Sequence, residues 1–254
     1  MASEAETPTG EDVLTRPMAS LDSREPAASM PDAGPTSPDE RLRSLLEREE
    51  VEAVRGRLRR AVLVGLVGWG GFLLADFVTV FAFRDAAPLP FFSVRLGLIV
   101  VGVSVLLALD RFSAWTQRYL RIAELFVFVS AGLGVGALAA LDRHGLASVH
   151  LKGTVLILLA HAVMLGSAWQ RALVPVVLTA LAPLVSIGIA TMLSPTLEAQ
   201  WRSPDLQDEL LRTYSLLLGG TVLTLLGGHL VWGLRQQVAE ARSIGRYRLR
   251  KRLA

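Results

Sequence analysis

From residue 61 onward the chain alternates long apolar runs with short polar breaks. The runs are Ala61–Phe83, Ser93–Leu109, Ile122–Leu141, Gly153–Ala168, Leu173–Leu193 and Thr213–Leu234. Each approaches the roughly 20 residues that an α-helix needs to cross a hydrocarbon core of about 30 Å. The second and fourth are short, and become adequate if Arg95 and Lys152 snorkel from their ends. None alternates residue by residue, as a membrane β-barrel requires, and lipid admits only helices or closed barrels. The pattern therefore predicts an all-α, polytopic membrane protein built as a six-transmembrane-helix bundle.

Ahead of the first run the character differs. Residues 1–36 are rich in Pro, Ala, Ser, Thr and acids, and too poor in apolar bulk to offset their ordering entropy, which predicts a disordered tail. Ser37-Pro38-Asp39-Glu40 then offers an N-cap, a first-turn proline and the spacing of a capping box. Residues 37–60 read as a juxtamembrane amphipathic helix, with Leu42, Leu45, Leu46, Val54 and Leu58 roughly on one stripe. That stripe suits the bilayer surface or a partner helix, and a dimerising coiled coil is the sharper alternative.

Composition and charge refine this picture. The chain is 52% hydrophobic, 19% charged and free of cysteine. Lacking cysteine, it has no disulfide, thiolate metal site or thiol nucleophile. The net charge of +3 combines −7 in the first 40 residues with +10 in the rest. Those bases flank the apolar runs, which speaks for membrane topology and against nucleic acid as a partner. Residues 41–60, the segment around Arg111–Arg121, Arg171 and the residues after Leu234 hold 18 Lys and Arg, against six near the alternate ends of the spans. The asymmetry predicts N-in/C-in topology in the cytoplasmic (inner) membrane. The N-terminus shows no apolar core of a cleavable signal peptide. Between the fifth and sixth runs, Ser203 and Pro204 suggest a short interfacial helix.

Ionisable groups inside a bilayer are functional candidates by default. Asp76 lies well inside the first span, with Arg95 and Lys152 toward the same end of the bundle. These three make either a structural ion pair or a ligand or proton site. Glu124, close to Arg121, reads as solvated at the interface. His161 and His229 fall within spans at different depths, which favours interhelical hydrogen bonding over haem ligation. His144 and His150 are too few for a metal site, and no metal set is expected. Gly132 and Gly136 in the third span, and Gly219 and Gly220 in the sixth, permit close helix packing, as do Gly68, Gly70 and Gly71 in the first. Pro175 and Pro183 are expected to kink the fifth. No catalytic constellation converges, and no repeat suggests a transporter.

Residues 235–254 form a basic cytoplasmic linker. Arg235 to Ser243 continues the sixth helix, and then the pattern alternates, with Tyr247, Leu249, Lys251 and Leu253 on one face. This end either grips anionic lipid at the cytoplasmic face or opens a folded domain. The run Ile244-Gly245-Arg246-Tyr247-Arg248-Leu249, followed by Leu253-Ala254, resembles the first strand of bacterial Hanks-type Ser/Thr protein kinases. In that family such a strand leads into the Gly-rich loop over the ATP phosphates, so the resemblance implies a kinase domain starting here. ATP and Mg would then belong to that kinase domain, while residues 1–254 carry no cofactor and no catalytic residue. The resemblance thus implies a sensor or anchor module of a transmembrane kinase, with Arg235, Arg242, Tyr247 and Leu249 coupling bundle to output. Alternatives are a small complete membrane protein, such as a transporter or channel subunit, and a sensor module for another output, such as a nucleotide cyclase or histidine kinase. The expected partners are the lipid bilayer, anionic lipid and a second copy in a homodimer.

Overall fold

The computed structural model describes residues 38–83, 88–112 and 115–252, with backbone alone for 38–40, 42, 79, 83 and 242–252. The expected disordered tail and the Ser37 cap lie outside the described residues, as do the side chains of Arg242, Tyr247 and Leu249. The chain divides at Ser44. In the first unit the description covers only the opening of a helix, where the Ser44 hydroxyl donates to the Arg41 carbonyl at 2.9 Å. The second unit, Leu45–Ala254, holds the helical bundle.

Helix α1 (Pro38–Val78) closes in a π-helical turn, Thr79–Phe83, and is followed by α2 (Pro88–Arg111) and α3 (Gln117–Leu141). Two 3-10 turns, Gly145–Ala147 and Val149–Lys152, lead into α4 (Gly153–Leu165), and α5 (Trp169–Leu193) comes next. The short α6 (Pro195–Trp201) precedes α7 (Pro204–Arg252). No strand occurs among the described residues. Six helical segments are long and apolar enough to cross a membrane. Large side chains such as Val67, Leu74, Leu107 and Leu230 cover their outer surfaces and are more than 60% exposed. An aqueous fold does not tolerate such a surface, whereas a multi-pass membrane protein requires it.

Several boundaries differ from expectation. Helix α1 runs through residue 61 without a break, so the juxtamembrane helix and first span are one element. Of the predicted stripe, Leu58 is buried, whereas Leu45 and Leu46 are each 57% exposed. At 13 residues α4 rises only about 20 Å. The preceding 3-10 turns supply the rest of its span, Gly145–Leu165. Pro204 opens α7 itself, and the short connecting helix is instead Pro195–Trp201, which begins on another proline.

The alternating segment after Ser243 is helical through Arg252, not extended. A lone strand would leave its N–H and C=O groups without a ladder, and continuing the helix satisfies them. Helix α7 therefore reaches 49 residues, about 73 Å.

Helix α3 makes its broadest interface with α5. Pro183 has no N–H to donate to the Thr179 carbonyl one turn earlier, so that carbonyl is free to face a neighbour. A Cβ at Gly132 would stand 2.7 Å from this oxygen, and one at Gly136 would stand 2.6 Å from Pro183 Cα. Both glycines are therefore points of backbone contact. Ser186 adds a hydrogen bond to the Leu133 carbonyl at 2.8 Å.

In α7, a Cβ at Gly220 would meet Val155 of α4 at 3.4 Å, but Gly219 faces open space and does not serve packing. Adjacent helical residues point about 100° apart, so only one of the pair can meet α4. Gly68, Gly70 and Gly71 likewise touch nothing within 4 Å, against the packing role expected of them.

The reason is how α1 is held. At one end Leu58, Ala61 and Val62 pack with Leu109, Leu120 and Leu165. At the other, Val80 packs with Phe91 and Leu138. Between these anchors α1 reaches the bundle through single side chains, Leu66 against Gly102 of α2, Trp69 and Asp76, while its glycines touch nothing.

Candidate functional site

The gap between the anchors is a cavity of about 830 Å³, lined by α1, α2, α3 and α4, with Leu216 of α7 reaching it. Its walls are apolar over most of their extent. Helical spacing puts Gly65, Trp69, Phe72 and Asp76 on one face of α1, separated by four, three and four residues, and all four line the cavity. Gly65 and Gly68 leave the middle of the wall low, and nothing fills the space that a Cβ at either would occupy.

Ionisable groups gather toward one end. Asp76 and Arg95 are 3% and 4% exposed and form a two-pronged pair, Nε to Oδ2 and Nη2 to Oδ1, the latter at 3.0 Å. The guanidinium also lies over the Trp69 ring, 4.4 Å from its centroid, and 5.9 Å from that of Phe72. A charge removed from water needs such a partner, because desolvation otherwise costs several kcal/mol per ion. His150 is within electrostatic range of both members, and its ring lies against Phe91 at 5.5 Å. Lys152 lines the cavity but turns to Glu209 of α7 at 3.5 Å. Of the two bases able to neutralise Asp76, Arg95 does so. The Trp69 Nε1 is buried and has no hydrogen-bond acceptor.

A second polar cluster sits toward the other end of the bundle. His161 Nε2 meets Glu124 Oε1 at 2.8 Å, with the imidazole edge-on to Phe128 at 4.8 Å. Glu124 is 18% exposed and His161 3%, so Glu124 is a paired interhelical group and not a solvated one. Lipid offers it no water, and the histidine one helix away supplies the missing donor. His229 plays no part in this pair and stacks on Trp232.

Four residues beyond His161, α4 ends at Leu165, and the next residue, Gly166, takes a φ of +39°, a conformation side-chain-bearing residues avoid. The carbonyls left open there are taken by Arg235 of α7, Nη1 to Leu165 and Nη2 to Val163, both at 3.1 Å. Arg57 of α1 lies in electrostatic range of Glu124 and Arg235. Arg55 donates through Nε to the Leu109 carbonyl at 2.7 Å, at the C-terminal end of α2, and Arg59 pairs with Asp110 at 2.9 Å.

The structure thus brings Asp76 and Arg95 together, with Lys152 beside them but paired elsewhere. It puts Arg235 against α4. Trp69, the Glu124–His161 pair and the capping by Arg55 escape a reading of single residues. The Trp69, Phe72, Asp76 spacing along one helical face was the available signal for the first, and nothing local marks the other two. Among the described residues, no group of three or more His, Asp or Glu stands close enough to hold a metal ion. Comparison with family models, curated proteins and solved structures finds no match to this chain.

Proposed function

We propose that the chain is the membrane sensor and anchor module of a bacterial signalling protein, with both termini cytoplasmic and its basic face inward. One observation carries this reading. Helix α4 lines the cavity with Val155, Leu156 and Ala160, and Arg235 of α7 closes the α4 C-terminus. Because α7 also borders the cavity at Leu216 and extends 17 residues beyond Arg235, a change in cavity shape has a rigid route to the basic end. The two arrangements that signalling demands are α4 capped by Arg235 and α4 released from it.

A Ser/Thr kinase is the output suggested by the sequence resemblance at Ile244–Leu249 alone, since α7 is helical there rather than extended. In the coding DNA, a Gly-rich loop directly after codon 254 supports that choice, and a stop codon there overturns it.

Coupling is tested with Arg235→Met in the membrane-embedded chain, read by amide hydrogen exchange. Losing two charge-assisted hydrogen bonds, worth roughly 1.5–3 kcal/mol each, should raise exchange in the last turn of α4 and in residues 236–241 together. Faster exchange in α4 with residues 236–241 unchanged refutes transmission along α7.

A further inference from the structure

We propose that the cavity between α1 and α2–α4 binds a single-chain amphiphile with an anionic headgroup, of the long-chain fatty carboxylate class, its head at the Asp76–Arg95 end. This deepens the signalling reading by naming the ligand chemistry.

Size and lining set the tail. Along α1 the cavity runs from Ala61 to Asp76, about 22 Å of helical rise, which is most of a hydrocarbon core of about 30 Å. Its volume of about 830 Å³ falls within the range of small-ligand sites. The walls stay accessible, with Val64, Phe72 and Leu156 each close to half exposed. A void lined by such side chains inside a bilayer takes up an apolar chain, because its lining otherwise lacks partner atoms.

Donors set the head. A guanidinium has five N–H donors, and among the described residues Arg95 gives Nε and Nη2 to Asp76, leaving Nη1 for a further acceptor. The charged residues lining the cavity are Asp76, Arg95 and Lys152, a sum of +1. Lys152 is about half exposed, and its contact with Glu209 at 3.5 Å is a weak surface pair, free to turn toward an anion. The open Nη1 of Arg95 and the loosely paired ammonium of Lys152, at one end of an apolar channel, call for an acceptor-rich anionic head.

The test uses the full chain in nanodiscs of neutral phospholipid, with a diazirine-bearing palmitic acid as photolabel and mass spectrometry to map the adducts. The expected result is saturable labelling between Gly65 and Phe72, displaced by unlabelled oleate. Gly68→Leu should cut it at least tenfold, because that side chain enters the cavity where no atom lies within 4 Å of its Cβ. A diazirine fatty alcohol of equal length should label at least tenfold more weakly.

Non-saturable labelling spread over outward positions such as Leu74 and Leu230 would overturn the proposal, as would equal labelling by the alcohol. Saturation in the wild-type chain decides the matter even if Gly68→Leu fails to fold. Specific labelling that leaves exchange in residues 236–241 unchanged sinks the signalling reading and keeps the site. The converse result sinks the site alone.

Discussion

Removing one member of the Asp76–Arg95 pair should be among the most damaging single changes available in this protein. Both side chains are almost fully buried, and the pair joins α1 to α2 beside the cavity. Asp76→Asn leaves a guanidinium that cannot shed its charge, facing one amide and two aromatic rings. Breaking a buried pair from one side costs about 3–5 kcal/mol. The rings of Trp69 and Phe72 retain about 2 kcal/mol of attraction for the desolvated cation, which offsets only part of this loss.

Arg95→Met leaves the carboxylate buried without its partner, at a similar cost. The double variant Asp76→Asn with Arg95→Met buries no charge and should recover most of the loss of either single change. Reversible unfolding in mixed dodecyl sulfate micelles measures all four proteins. A loss of about 4 kcal/mol is about three decades in the equilibrium constant, well within the range of that assay. Single substitutions that each cost under about 1 kcal/mol, and that add in the double variant, would refute the reasoning, because the coupling energy would then be nil.

Three further expectations rest on other parts of the structure. Gly136→Leu drives a side chain into Pro183 and should destabilise by about 1–3 kcal/mol or more, while Gly219→Leu should stay within about 0.5 kcal/mol; equal melting temperatures for the two would contradict the assigned interface. Glu124→Ala strands the imidazole of His161 and should cost about 1–3 kcal/mol, with Glu124→Gln largely restoring the bond; unfolding curves that fail to separate Ala from Gln would show the pair to be idle. The absence of native cysteine makes topology directly measurable. In intact cells an impermeant maleimide should label Ser203→Cys and spare Gln236→Cys, and the reverse pattern would invert the proposed orientation.

The six spans were legible because nothing but apolar length and backbone self-satisfaction is needed to make a helix in lipid. Their limits were less so. Helix α4 stops at Leu165 because Gly166 takes a positive φ and Arg235, 69 residues further on, donates to the open carbonyls. Glu124 looked solvated from its neighbour Arg121, and only the fold carries His161 to it. The glycines show the same division. Gly136 and Gly219 are equivalent as letters in an apolar run, yet one touches Pro183 and the other touches nothing.

Along the chain, apolar run length, charge placement and the isolated Asp76 were enough to imply an all-helical membrane bundle with a polar group to neutralise. These are local properties, set by transfer free energies and by hydrogen bonds a helix makes with itself. Which base answers Asp76, which glycine meets a backbone, and how closely α1 packs are properties of pairs of helices. They depend on how each helix is rotated about its axis, and within lipid both faces of a helix can be apolar. Hydrophobicity alone then leaves that rotation undetermined. Here it is set by the contacts of Arg95, Pro183 and Arg235, and the cavity is what that packing leaves open.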